Sequence, residues 1–166
     1  YIIKDKECGC DFTGLLSTDK NECFLFESKR NGSNLQPLPE IKNNNCDIFK
    51  VILCVNDIFV AFNDGLIIKR KRRNKDNSIR KIIEINDSLL DFSVSEDSSV
   101  IVVCPANKKP CVYFSNSNND QYDCVEIAEV EKGASCITHK SDNEISFIIG
   151  DDKGSVFLFS HNYRKK

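Results

Sequence analysis

Nine cysteines and two histidines are the residues of this 166-residue chain with the chemistry to hold a metal or act as nucleophiles. The tightest grouping is Cys8-Gly-Cys10, with Cys23 downstream. Structural zinc sites usually leave about two to four residues between paired cysteines. One glycine is too few, so buried or simply exposed thiols are expected in place of a metal site. Most of the other cysteines sit in apolar runs such as VILCV, ending at Val55, and VIVVC, ending at Cys104, where a thiol acts as a small hydrophobe. Their odd number argues against a closed disulfide framework and fits a reducing compartment, nucleus or cytoplasm. His139 and His161 have no Cys or Ser with a carboxylate partner at a recognisable spacing. Glycine-rich phosphate loops and the G-x-S-x-G and H-E-x-x-H strings are absent. The expectation is a non-enzymatic chain with no cofactor, no metal site and no small-molecule substrate.

Two charged motifs remain. Lys69-Arg70-Lys71-Arg72-Arg73-Asn74-Lys75 places six cations in seven positions of a chain whose net charge is -2. The whole chain has no general attraction for phosphates, so any such attraction must be local. Three readings stand: a solvated loop, a nuclear-targeting element of the basic kind, or a phosphate-contacting patch for RNA formed by Lys69, Arg70, Lys71, Arg72, Arg73 and Lys75. Arg164-Lys165-Lys166 is a smaller basic cluster. The second motif is Ile149-Gly150-Asp151-Asp152-Lys153-Gly154-Ser155-Val156. Gly154 supplies positive φ for a tight hairpin, the aspartates cap backbone donors, and Asp152 and Lys153 are exposed candidates for contact with a partner.

These motifs sit on short β runs separated by turn residues. From Asp47 onward the expected strands are 49–55, 58–62, 66–70, 79–85, 90–94, 100–104, 111–114, 124–130, 135–139, 145–149 and 156–159. Phe49, Leu90 and Ser135 open successive groups about 40–45 residues apart, the period of a four-stranded propeller blade. Within each period a β run, an acidic turn, a strongly apolar run and a run ending in aromatics return in order. One four-stranded sheet cannot bury both faces alone, and stacking sheets around an axis does. The fold class expected is all-β: a partial β-propeller of the WD-repeat type, about three blades of four antiparallel strands in an incomplete ring. A sandwich or barrel of the same strands is the competing architecture. Residues 47–166 form the blades. Residues 1–46 are a less certain segment, with strands at 12–16 and 23–26 of a preceding blade and a loop over 29–45. With no Met, the chain is expected to be part of a longer one, and outer sheets of an open stack are expected to expose apolar faces. No stretch reaches the ~20 apolar residues of a membrane helix.

Two blades carry phrases that resemble a particular family. Leu90-Asp91-Phe92-Ser93-Val94-Ser95-Glu96-Asp97-Ser98-Ser99-Val100, followed by Lys109 through Phe114, is similar to the phrase I-x-F-S-x-S-G-S-x-x-A…D-D-x-K-x-x-x-L-F. Ser135-Cys136-Ile137-Thr138 and then Ile149 through Ser160 are similar to a Cys- or Ala-led strand followed by V-A-D-K-S/F-G-D-V-Y-S-F, one residue shorter and with Ser155 in place of Asp. In order and spacing these phrases resemble the WD-repeat, non-catalytic subunit of the heterodimeric tRNA (guanine-N7-)-methyltransferase, over roughly residues 88–160. The resemblance implies a propeller that stabilises a catalytic methyltransferase subunit and helps seat tRNA, while the partner holds S-adenosylmethionine. A generic WD-repeat adaptor in another assembly is the alternative. An enzyme on a propeller would need carboxylates or histidines around the axis, where these blades offer apolar residues.

Overall fold

The computed structural model describes residues 2–3, 12–18, 22–29, 31–38, 41, 46–72, 79–116, 121–140 and 144–162. The described residues form four antiparallel meanders. The first sheet comprises β1 (Ile2–Ile3), β2 (Phe12–Ser17), β3 (Cys23–Lys29) and β4 (Gly32–Pro37). The second comprises β5 (Ile48–Leu53), β6 (Asp57–Phe62), β7 (Leu66–Lys71) and β8 (Ile79–Glu84). The third comprises β9 (Leu89–Val94), β10 (Val100–Pro105), β11 (Cys111–Asn116) and β12 (Gln121–Glu126). The fourth has three strands, β13 (Gly133–Lys140), β14 (Glu144–Asp151) and β15 (Val156–Asn162).

Three apolar clusters lie between successive sheets. Leu15 and Leu25 of the first sheet meet Ile58, Val60 and Phe62 of the second. Phe59, Ala61 and Ile67, on the second sheet's other face, meet Phe92, Ile101 and Val103 of the third. Val100, Val102 and Val112 then meet Phe147 and Ile149 of the fourth. The second strands of the two middle sheets, DIFVAF and VIVVCP, are therefore buried at every position. Such strands read as continuous apolar runs because both of their faces are covered. The outermost strands are polar: β12 (QYDCVE) is largely exposed, which blunts a free edge.

The first strands meet side by side through polar contacts. Lys50 Nζ lies 2.6 Å from Asp91 Oδ1 and donates to the Phe92 carbonyl at 2.9 Å. Asp91 Oδ2 accepts the Cys136 N–H at 2.9 Å, and Ser93 Oγ accepts the Thr138 N–H at 2.9 Å. Residues expected to be apolar here are instead a polar ladder linking β5, β9 and β13.

The expected strands from 47 onward are found, one of them shifted. β12 runs Gln121–Glu126 and not to Val130. Past it, Ile127 donates its N–H to the Pro110 carbonyl at 2.9 Å, and Ile127 and Val130 turn inward to plug the third and fourth sheets. The run ISFII is not covered on both faces: Ile145, Phe147 and Ile149 are buried and Ile148 is exposed, because among the described residues only one face of the fourth sheet is covered. The loop expected over 29–45 contains β4, whose six residues are all exposed. An outer edge strand needs no apolar alternation, so Gly, Ser and Asn there disguise it. Three sheets follow residue 47, as expected, and β1–β4 make a fourth before them.

Gly65 (φ 87) turns β6 into β7, and a Cβ there would lie 2.3 Å from the Asp87 carbonyl oxygen. Gly154 (φ 85) turns β14 into β15 with open space around it. Gly154→Ala should cost about 1 kcal/mol, the backbone term alone. Gly65→Ala should cost clearly more, because a backbone must also move. Urea unfolding of the two variants checks the order.

Candidate binding surfaces at the two ends of the stack

In each meander, the turn from second to third strand lies at the same end as the connection to the next sheet. At this end the segments that join successive sheets are bonded to the turns beside them. Asp87 Oδ2 accepts the Asn107 N–H at 2.8 Å and Asp87 Oδ1 accepts Asn107 Nδ2 at 2.9 Å. Lys108 Nζ donates to the Ile85 carbonyl at 2.6 Å. Lys109 Nζ reaches the Ala128 carbonyl and the Glu131 carboxylate, both at 3.2 Å. Lys132 Nζ lies 3.9 Å from Asp152 Oδ2. The result is a platform running from Ile85 to Asp152 and its neighbour Lys153.

The β14–β15 turn is built on Asp151, whose Oδ1 accepts the N–H of Lys153 at 2.9 Å and of Ser155 at 2.7 Å. Desolvation opposes ionisation, but hydrogen bonds from Ser155 and Lys153 hold the Asp151 carboxyl below its usual range. Asp152 and Lys153, the two expected contact residues, are exposed beside this turn. Asp151 fixes the backbone, and its neighbours are left to face solvent.

The basic run lies at the opposite end and divides by strand alternation. Arg72 points toward the first sheet, where Nη2 donates to Thr13 Oγ1 at 2.8 Å. Its N–H bonds the Asn56 carbonyl at 2.8 Å. Lys69 points toward the third sheet: Nζ bonds Tyr122 Oη at 3.4 Å and lies 3.6 Å from Asp57 Oδ2 and 5.8 Å from the Phe59 ring centroid. Lys71 Nζ approaches Asp57 Oδ1 at 3.0 Å, a charge contact without hydrogen-bond alignment, and stays half-exposed. Lys69, Arg70 and Arg72 are buried. These three cations are set inside the stack, because β7 has a sheet on either side. Among the described residues of the run, Lys71 alone is open to a phosphate, and Arg73 and Lys75 lie outside the described residues. What sequence reasoning missed is Asp57, the buried counter-charge; its signal was an acidic residue opening an otherwise apolar strand directly across from Lys71.

Seven cysteines are described and all are free thiols; Cys8 and Cys10 lie outside the described residues. Among the described residues no group of three or more His, Cys, Asp or Glu is placed to hold a metal. Burial pushes the Cys54 thiol up to about 12. The neighbouring Cys104 thiol, and then burial, raise Cys136 well above the usual range. Such thiols are poor nucleophiles at neutral pH. His139 and His161 fall within β13 and β15.

No family model matches the chain, and no curated protein matches its sequence. Solved structures match its fold. The crystal structure of the computationally designed Ika4 protein aligns with a TM-score of 0.57 at 11% identity, over 89% of this chain and 91% of that one. TolB from Acinetobacter baumannii aligns at 0.57 and 12% identity, over 91% of this chain and 38% of that one. The β-propeller domain of Cps50 (Swd1) from Myceliophteria thermophila aligns at 0.54 and 11% identity, over 92% and 54%. The chain thus spans about half of the Swd1 propeller and less of TolB. The fold is all-β, a partial β-propeller whose sheets do not close.

Arg72→Ala leaves Thr13 without its buried donor and should lower stability by about 1–3 kcal/mol. Lys71→Ala removes a half-exposed cation and leaves Asp57 its contact with Lys69, so it should change stability by less than about 1 kcal/mol. Thermal and urea unfolding separate the two. Peptide mapping after iodoacetamide treatment at neutral pH should find exposed Cys124 labelled, and Cys54 and Cys136 labelled only after unfolding.

Proposed function

We propose that this chain is a non-catalytic binding scaffold whose loop platform, ending at Asp152 and Lys153, seats a protein partner. One observation carries the reading: the segments that join the sheets are held against the turns at the same end, Ile85 by Lys108, Asp87 by Asn107 and Ala128 by Lys109. A surface ordered before binding loses little entropy on association. Loops held on a rigid framework are the usual place for recognition.

The phrases at 90–100, 109–114 and 149–160 favour a particular partner, the S-adenosylmethionine-dependent subunit of a tRNA N7-methylguanosine methyltransferase. In this reading the complex binds tRNA, the chain itself carries no cofactor, and the assembly works in the nucleus and also in the cytoplasm. Lys71 lies at the opposite end from the platform, so a tRNA contact at Lys71 and a partner contact at Asp152 and Lys153 would not compete. The same basic run would also suit nuclear targeting.

Affinity capture with this chain as bait, followed by mass spectrometry, tests the proposal. The expected result is stoichiometric recovery of an S-adenosylmethionine-dependent tRNA methyltransferase, reduced at least about tenfold by the double change Asp152→Lys and Lys153→Glu. Recovery of a different stable complex through the same two residues would keep the scaffold and remove the methyltransferase. Capture unaffected by the double change would remove the platform as the contact.

A further inference from the structure

The two sheets at the ends of the stack each keep one face uncovered among the described residues. On the fourth sheet, Ile137, Ile148 and Leu158 stand opposite one another in a cross-strand row, and Val156 lies on the same face. They are 65, 40, 70 and 72% exposed in that order. On the first sheet, Leu16 stands opposite Phe24 and Phe26 opposite Leu35, with Leu16 and Leu35 both 52% exposed. Neither row carries a charge, although charged side chains are the common protection of an open face.

The two faces are complementary in a way the interior spells out. Leu25, Ile67, Val112 and Leu158 hold the same place on the third strand of each sheet, on the side facing the next sheet. The first three are 4, 0 and 2% exposed beneath that next sheet, and Leu158 is 70% exposed. The flanking residues point the other way. Ile68 faces the first sheet, Tyr113 the second, and Phe157 and Phe159 the third. In the first sheet the residues in that place are Phe24 and Phe26. The string Phe24-Leu25-Phe26 repeats as Phe157-Leu158-Phe159. The backward face of the first sheet is thus built like the aromatic face that the fourth sheet presents to Val102 and Val112. The forward face of the fourth, with Ile148 in line with Val102, is built like the aliphatic face it would need.

We propose that two copies of this chain close on each other, the fourth sheet of each covering the first sheet of the other about a two-fold axis along the centre of the stack. Head-to-tail contacts run on into filaments unless their rotation closes. Two equal contacts about such an axis cover both open faces and give each of the four described sheets two neighbours. The contact uses sheet faces and not the loop platform, so it stands or falls apart from the partner reading above.

Sedimentation velocity of the 166-residue chain at micromolar concentration tests this. The expected species has twice the 18.8 kDa mass of one chain. Leu158→Lys and Phe24→Asp should each raise the dimer dissociation constant at least about a hundredfold. Mixing the two variants should recover dimer, because every mixed pair keeps one unaltered contact. Circular dichroism confirms that both variants stay folded. A chain that remains monomeric overturns the proposal, whether its faces are then covered by a different protein or left open. So does a dimer that survives Phe24→Asp, which would pair the fourth sheets face to face, or an open series of larger species.

Discussion

Two faces of every sheet must be removed from water, and one sheet can cover only one face of its neighbour. The rest of the structure follows from that constraint. It makes VIVVCP and DIFVAF apolar at every position. It also places the core in three separate layers between sheets, not in one central mass. The outer strands have no such demand, which is why β4 and β12 are polar and exposed.

The charged groups obey the same geometry. A third strand lying between two sheets sends alternate side chains to each neighbour. Arg72 therefore reaches Thr13 in the first sheet, and Lys69 reaches Tyr122 in the third. Along the innermost strands Lys50 and Asp91 take the same cross-sheet role. Asp57 offsets the charge of Lys69 and Lys71 within the layer. Leaving any of these groups buried without its partner would cost far more than the bond contributes.

Much of this was legible in the sequence. The period, the strand positions after Asp47 and the continuous apolar second strands all come from burial on two faces, which leaves a strong mark on residue type. The misses share a cause. Gly32–Pro37 is an outer strand and carries no burial signal. The basic run read as a surface because charge usually marks solvent. Only the third dimension shows that β7 is flanked on both sides. Asp151 was legible as a turn former, whereas the Asp87–Asn107 bond joins residues 20 apart that no local pattern connects.

These polar links between strands of different sheets join residues about one sheet apart in sequence. Lys50 to Asp91 spans 41 positions, Asp91 to Cys136 and Ser93 to Thr138 each span 45, Lys69 to Tyr122 spans 53 and Arg72 to Thr13 spans 59. Each reaches one sheet along the chain and no further. Couplings of that kind make stability a sum of intrinsic and nearest-neighbour terms, as in a linear array. Folding can then begin in any one meander and spread outward by single steps. A lesion weakens the layer it touches and the one beside it, and leaves distant sheets to unravel on their own terms.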